Sequence, residues 1–240
     1  RREVENILQG VAGPAPIQQQ PSVQQPHAAR KEEDITHRMQ AIATSVKPEL
    51  VAIGISTGGP NALAEMLPMI PLNLGVPILV VQHMPALFTQ SLAESLSAKC
   101  SLRIKEASDG EDLMANTVYL APGGMQMILV KGDGGMKLVK VTDDPPENHC
   151  KPSVDYLFRS LAHSFPGKAL GVIMTGMGND GVMGLKLMKR HGCMVIAQDE
   201  ASCTVFGMPR EAIAAGVVDI VSPLKDLAGE ITRIVRGFPA

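Results

Sequence analysis

The chain has 240 residues, of which 45% are hydrophobic, enough to fill the core of one sizeable α/β domain with a tail to spare. Its 22 Lys and Arg against 24 Asp and Glu leave a formal charge of −2, so it lacks the basic footprint of a nucleic-acid-binding protein. No apolar run approaches the roughly 20 residues of a membrane-spanning helix, and the charged start Arg1-Arg-Glu-Val-Glu5 is unlike a signal peptide. The four cysteines (Cys100, Cys150, Cys193, Cys203) form no C-x-x-C pair. Their scatter points to a reducing cytoplasm rather than to a disulfide or zinc framework.

Arg1 to Gly10 reads as the tail of a helix that begins upstream, which implies a preceding domain. Val11 to Ala29 is rich in Gln and Pro and poor in apolar side chains, the composition of an extended linker. Ile35, Met39, Ile42 and Val46 recur at helical spacing, predicting a short amphipathic helix that lies on its own domain, the favoured case, or on a partner. Residues 1–48 are therefore assigned to an N-terminal tail and 49–240 to the folded domain.

From Leu50 onward strands and helices alternate. Val51 to Ile55 predicts a buried strand that breaks at Ser56-Thr-Gly-Gly-Pro60 into a helix. Val76 to His83 is a second buried strand, and Ala86 to Lys99 a helix with Leu87, Leu92 and Leu96 placed on one face. Leu102–Glu106 and Val118–Ala121 are short strands. Gln126–Val130 and Met136–Val141 flank Gly132-Asp-Gly-Gly135, a hairpin signal that gives the sheet one antiparallel excursion. Ser153 is placed to cap a helix running to Phe165. Ala169–Met174, Cys193–Ala197 and Val217–Val221 are further strands, with helices over Val182–His191, Pro209–Ala215 and Leu224–Arg236. The fold class is α/β: a doubly wound, mostly parallel sheet with helices on both faces and a β-hairpin excursion.

Ser56 ends a buried strand at the carboxyl edge of the sheet, where sites in open α/β folds lie. An ordinary helix cap at Ser56 or Thr57 is one reading. A phosphate cradle is a weaker one, because the spacing matches neither phosphate-loop fingerprint. The third is a nucleophile, since Gly54-Ile-Ser-Thr-Gly58 fits G-x-S-x-G. A serine hydroxyl needs a base, and the base an orienting partner. Of six histidines only His83 terminates a strongly apolar strand, although His149 in a polar loop also stays open. Asp180 follows a third strand, either as the orienting carboxylate or as an N-cap, with Asp199 the alternative. Gly176, Gly178 and Gly181 around it could supply backbone N–H groups to an oxyanion hole. The order Ser, His, Asp differs from that of the α/β-hydrolases, so the serine motif does not place the chain among them.

Six blocks in order resemble the protein-glutamate methylesterases of bacterial chemotaxis, the CheB type. They are Gly54-Ile-Ser-Thr-Gly-Gly-Pro60, Gln82-His-Met-Pro85, Ala121-Pro-Gly123, Pro152-Ser-Val-Asp155, Thr175-Gly-Met-Gly-Asn-Asp-Gly181 and Phe206-Gly-Met-Pro-Arg-Glu211. The resemblance covers residues 49 to 236 and makes 49–240 a methylesterase catalytic domain. It implies Ser56 as nucleophile, His83 as general base and Asp180 as its partner, with Thr57 and the backbone of Met177 beside the reacting carbonyl. No cofactor or metal is implied. The implied activity is demethylation of glutamate methyl esters on chemoreceptors during adaptation, with deamidation of receptor glutamines as a further one. The implied partners are methylated chemoreceptor cytoplasmic helices and an upstream receiver domain not contained in this chain. The sequence departs from the family pattern at Lys151, where an arginine is expected. Two other functions remain compatible with these residues: a non-catalytic receptor-docking module, and a carboxylesterase acting on small molecules.

Overall fold

The computed structural model describes residues 47–237 apart from 133, 135 and 136. The predicted linker and the helix expected over Ile35 to Val46 lie outside the described residues. Seven parallel strands form the main sheet: β1 (Leu50–Ile55), β2 (Ile78–Gln82), β3 (Arg103–Glu106), β4 (Thr117–Leu120), β7 (Ala169–Ile173), β8 (Met194–Gln198) and β9 (Ile220–Ser222). Their order is β3-β4-β2-β1-β7-β8-β9. Among the described residues, six α-helices surround it: α1 (Gly59–Met66), α2 (Ala86–Ser97), α3 (Val154–Ser164), α4 (Val182–Arg190), α5 (Met208–Ala214) and α6 (Leu224–Val235).

The alternation of β1 explains the two layers. Val51, Ile53 and Ile55 join one apolar cluster with Leu63 and Met66 of α1, Leu96 of α2 and Leu227 and Ile231 of α6. Leu50 and Ala52 face the opposite cluster with Leu157 and Phe158 of α3, Leu185 of α4 and Ala212 of α5. Successive side chains of a strand point to opposite faces, so a strand buried on both sides is apolar throughout. β2 continues from β1 toward one edge while β7 lies on the other side of β1. The strand order thus reverses beside β1, and the carboxyl ends of β1, β2 and β7 border the resulting crevice.

Three expectations need correction. The hairpin is not an excursion of the main sheet: β5 (Gln126–Lys131) and β6 (Lys137–Thr142) pair only with each other as a separate antiparallel sheet. Leu87 does not share the inner face of α2; it is 86% exposed, while Thr89, Ala93 and Leu96 face inward. Leu92 lies five positions after Leu87, and that spacing turns a helix well away from its starting face. The last strand starts at Ile220 rather than Val217. Gly216 takes φ +67°, and the N–H of Val217 still donates to Ala212 O, so the chain is completing a helix end there.

Gly54 fixes how close α3 comes to the sheet. A Cβ at this position would lie 2.3 Å from Val154 Cγ1, so only glycine lets the first turn of α3 rest on β1. Gly54→Ala is expected to destabilise the fold by about 1–3 kcal/mol through overpacking, read as a lower urea midpoint at unchanged slope.

Candidate active site

β1 ends at Ile55, and Ser56 turns out of the strand with its N–H donating to Thr175 O at 2.9 Å. Gly58, at φ +81°, reverses the chain into α1, and no side chain caps that helix. The capping alternative for Ser56 or Thr57 therefore falls, because the turn is closed by backbone: Gly59 N–H donates to Ser56 O at 2.8 Å. The amide of Gln82 pins the same turn, donating from Nε2 to Ser56 O at 3.0 Å and to His83 O at 3.1 Å. Thr175 ties it from the other side, donating its hydroxyl to Thr57 O at 2.9 Å and accepting from Val205 N–H at 3.0 Å. Gly176 is required by proximity, since a Cβ there would sit 2.7 Å from Ser56 Cβ. The half-buried Ser56 hydroxyl makes no hydrogen bond among the described residues, although the N–H and C=O of Ser56 itself are both engaged.

His83 follows β2, and its N–H donates to Ile55 O at 3.1 Å, extending the β1–β2 ladder to the residue beside Ser56. Its Nε2 lies 2.7 Å from Asp180 Oδ2. That leaves Nδ1, which lies 3.8 Å from Cys150 Sγ, as the ring nitrogen not engaged by the carboxylate. Asp180 does not cap the helix that follows it, whose N-cap is Gly181. It lies instead at the N-terminus of α3, where its carboxylate accepts from Val154 N–H at 2.7 Å and Asp155 N–H at 3.1 Å. Ser153 Oγ donates to it at 2.8 Å and Asn148 Nδ2 at 2.9 Å. The first turn of a helix carries unpaired N–H groups and partial positive charge, a favourable seat for an anion.

The electrostatics follow from these contacts. Burial opposes ionisation of Asp180, but the donors from His83, Asn148 and the Val154 and Asp155 amides outweigh it and hold the carboxyl below its ordinary 3.8. Burial would likewise lower His83; the hydrogen bond to Asp180 and the neighbouring Cys150 outweigh it and push the imidazole up to about 9. Asp155 is raised, chiefly by its own burial, and Asn148 Nδ2 bridges it to Asp180 with a second bond of 2.8 Å. The amide thus separates two carboxylates that would otherwise repel each other.

Sequence reasoning singled out neither Asn148 nor the second role of Ser153. Ser153 does cap α3, accepting from Tyr156 N–H at 3.3 Å, while its own proton goes to Asp180. The only available signal for Asn148 was a polar residue preceding the Pro-Ser-Val-Asp block. Gln126 of β5 positions this loop, its Oε1 accepting from Ser153 N–H at 2.9 Å and its Nε2 donating to Pro145 O at 3.1 Å. The separate two-stranded sheet thereby supports the site.

The alternatives are resolved by geometry. Asp199 accepts from Ser202 N–H and Oγ within its own turn, so it is engaged away from His83. His149 is exposed, with φ 62°, and does not join the Asp180 network. Gly176 cannot offer its N–H to an oxyanion, because it donates to Val205 O at 3.0 Å. Among the described residues, the N–H groups of Thr57 and Met177 have no acceptor, and both residues are exposed beside Ser56 and Gly176. Lys151 pairs with Asp143 at 2.5 Å rather than pointing a free charge at the site.

Residues 51–231 match the family model described as CheB methylesterase. The chain belongs to the CheB methylesterase family. A protein-glutamate methylesterase/protein-glutamine glutaminase of Desulfotalea psychrophila is 56% identical over 191 residues, covering 79% of this chain and 52% of that protein. The protein of the same name from Bacillus subtilis is 44% identical over 189 residues, covering 78% and 53% respectively. The chain thus spans about half the length of the curated relatives it matches. The crystal structure of the Thermotoga maritima CheB methylesterase catalytic domain superimposes with a TM-score of 0.76 at 39% identity, covering 79% of this chain and all of that one. No helix among the described residues is long and apolar enough to cross a membrane.

Ser153→Ala removes one donor from a buried carboxylate and one helix cap together. It is expected to lower stability by about 1–3 kcal/mol, measured by urea denaturation at neutral pH.

Proposed function

We propose that this chain is a serine hydrolase that removes methyl groups from glutamate esters on the cytoplasmic helices of bacterial chemoreceptors, residues 49–240 forming its catalytic domain. The observation that carries this reading is the His83–Asp180 hydrogen bond of 2.7 Å, on a residue that extends the β1–β2 ladder beside the Ser56 turn, where the serine hydroxyl makes no hydrogen bond among the described residues. Membership of the CheB methylesterase family and the names of its relatives support the substrate class. The work is assigned to the cytoplasm, where the helices to be demethylated lie.

In this mechanism the Ser56 hydroxyl attacks the ester carbonyl carbon while His83 Nδ1 takes its proton. Asp180 holds the N–H on Nε2 and stabilises the imidazolium that forms. The carbonyl oxygen becomes an anion within reach of the Thr57 and Met177 N–H groups, whose fixed dipoles favour that charge over the neutral ground state. The imidazolium then protonates the departing methoxide, and methanol leaves a glutamyl ester on Ser56. Water, deprotonated by His83, attacks that ester and frees the glutamate carboxylate and the serine. A glutamine side chain would follow the same course with ammonia leaving, in keeping with the glutaminase part of the relatives' name. The exposed Met177, 75% accessible, offers an apolar contact to a helical substrate. An upstream receiver domain completes the set of proposed partners.

Methanol release from a methylated receptor fragment tests the assignment. Ser56→Ala should keep the fold and lose several orders of magnitude in turnover; near-wild-type release would remove Ser56 from the reaction, and turnover of soluble esters with none of the receptor fragment would favour a small-molecule esterase.

The acidity of His83 sets the pH profile. The base acts only when neutral and its value lies near 9, so kcat/KM should rise with pH up to that region and level off above it. A profile already flat from about pH 6.5, the ordinary histidine range, would show that the paired carboxylate does not raise the base.

A further inference from the structure

Among the described residues, one cluster of three potential metal-ligating side chains occurs, and it includes a residue the hydrolytic mechanism does not use. Cys150 Sγ lies 3.8 Å from His83 Nδ1, and the ligand atoms of His83, Cys150 and Asp180 fall within 4.8 Å of one another. Cys150 is half-buried and unpaired, its thiol directed to Asn148 O at 3.4 Å. Its loop is braced by Gln126 Nε2, which donates to Cys150 O at 3.4 Å, and by the Glu147–Cys150 backbone pair. The sulfur is therefore held against the imidazole.

From this geometry we propose that His83 Nδ1 and Cys150 Sγ form an inhibitory site for a thiophilic divalent cation, with Zn2+ the best fit. Zn–S and Zn–N bonds of about 2.3 and 2.0 Å span a 3.8 Å separation at an S–Zn–N angle of about 120°, close to tetrahedral. A thiolate paired with an imidazole selects zinc or cadmium over magnesium or calcium. Asp180 accepts from Nε2 on the opposite edge of the ring. A ligating histidine is commonly oriented by a carboxylate in this way, so the pair that prepares His83 as a base prepares it equally as a ligand. Binding displaces to water the thiol proton and, where the imidazole is charged, the Nδ1 proton, and the cation takes up the Nδ1 lone pair, with water in the remaining positions. No other bond forms or breaks. The cation removes the lone pair that would accept the Ser56 proton, so occupancy and turnover exclude each other. This inference rests on the reading of His83 as the base.

Binding and turnover are measured separately on the 240-residue chain after chelator treatment. Cd2+ should produce a cadmium–thiolate ultraviolet band at one equivalent in wild type and in Ser56→Ala, and none in Cys150→Ser. Zn2+ should suppress methanol release from the methylated receptor fragment, with recovery on adding chelator. Each variant is compared with its own metal-free rate, and Cys150→Ser should need about tenfold more Zn2+, or beyond, for equal suppression, while Cys100→Ser behaves as wild type. Equal sensitivity of Cys150→Ser and wild type, stimulation by Zn2+, or no thiolate band would each overturn the site. If metal-free wild type released no methanol, the hydrolase reading would fall, and the Cd2+ titration would still decide the binding site.

Discussion

The site depends on a buried carboxylate that belongs to one loop and completes the end of a helix it does not precede. Asp180 is 3% exposed, and an isolated anion at that depth would sooner take up a proton than stay charged. It remains ionised because Oδ1 and Oδ2 together accept from His83, Asn148, Ser153, Val154 and Asp155. The amide donors are groups that α3 would otherwise leave unpaired at its first turn. Helix and carboxylate thus solve each other's problem, and His83 receives a negative partner fixed in place before any substrate arrives. Such fixed charge is what a developing imidazolium needs, since nothing must reorganise at the moment of reaction.

Close approach is the second constraint. Three backbone segments meet around Ser56, and each meeting point has a glycine where a methyl group would collide: Gly54 against Val154, Gly59 against Gln82, Gly176 against Ser56 and Met208. Gly123 does the same for the loop after β4, where a Cβ would fall 2.5 Å from the carbonyl carbon of Pro85. The blocks that resemble the methylesterases are therefore mostly packing devices. They let strand ends, turn and helix start converge tightly enough for polar atoms to touch, and they close the serine turn with backbone bonds so that the hydroxyl stays unengaged.

The same crowding places a thiol beside the His83 imidazole. Cys150 sits on the polar loop that supplies Asn148, and the loop is held by Gln126 from the small sheet. An arrangement that raises the basicity of a histidine by orienting it on a carboxylate also improves it as a metal ligand. The proposed base and the proposed cation site are thus two readings of one geometry.

Much of this was written in the order of residues. The apolar runs of β1, β2 and β7 required a buried parallel sheet, and breaks at Ser56, His83 and after Met174 put three polar groups at strand ends. Local signals could go no further, because His83 and Asp180 are 97 residues apart and meet only when β2 and β7 flank β1. Periodicity could not tell Asp180 from Asp199, since both follow strands; the tertiary structure decided by giving one of them the N-terminus of α3 and the other a turn of its own. It likewise detached the hairpin from the main sheet, turned Leu87 outward and brought Cys150 to the imidazole. The sequence by itself determined which residue types stand at the ends of which elements, since hydrophobic pattern and turn chemistry act over a few residues. Which of those ends share a crevice was decided by strand order and helix packing, which act only on the folded whole.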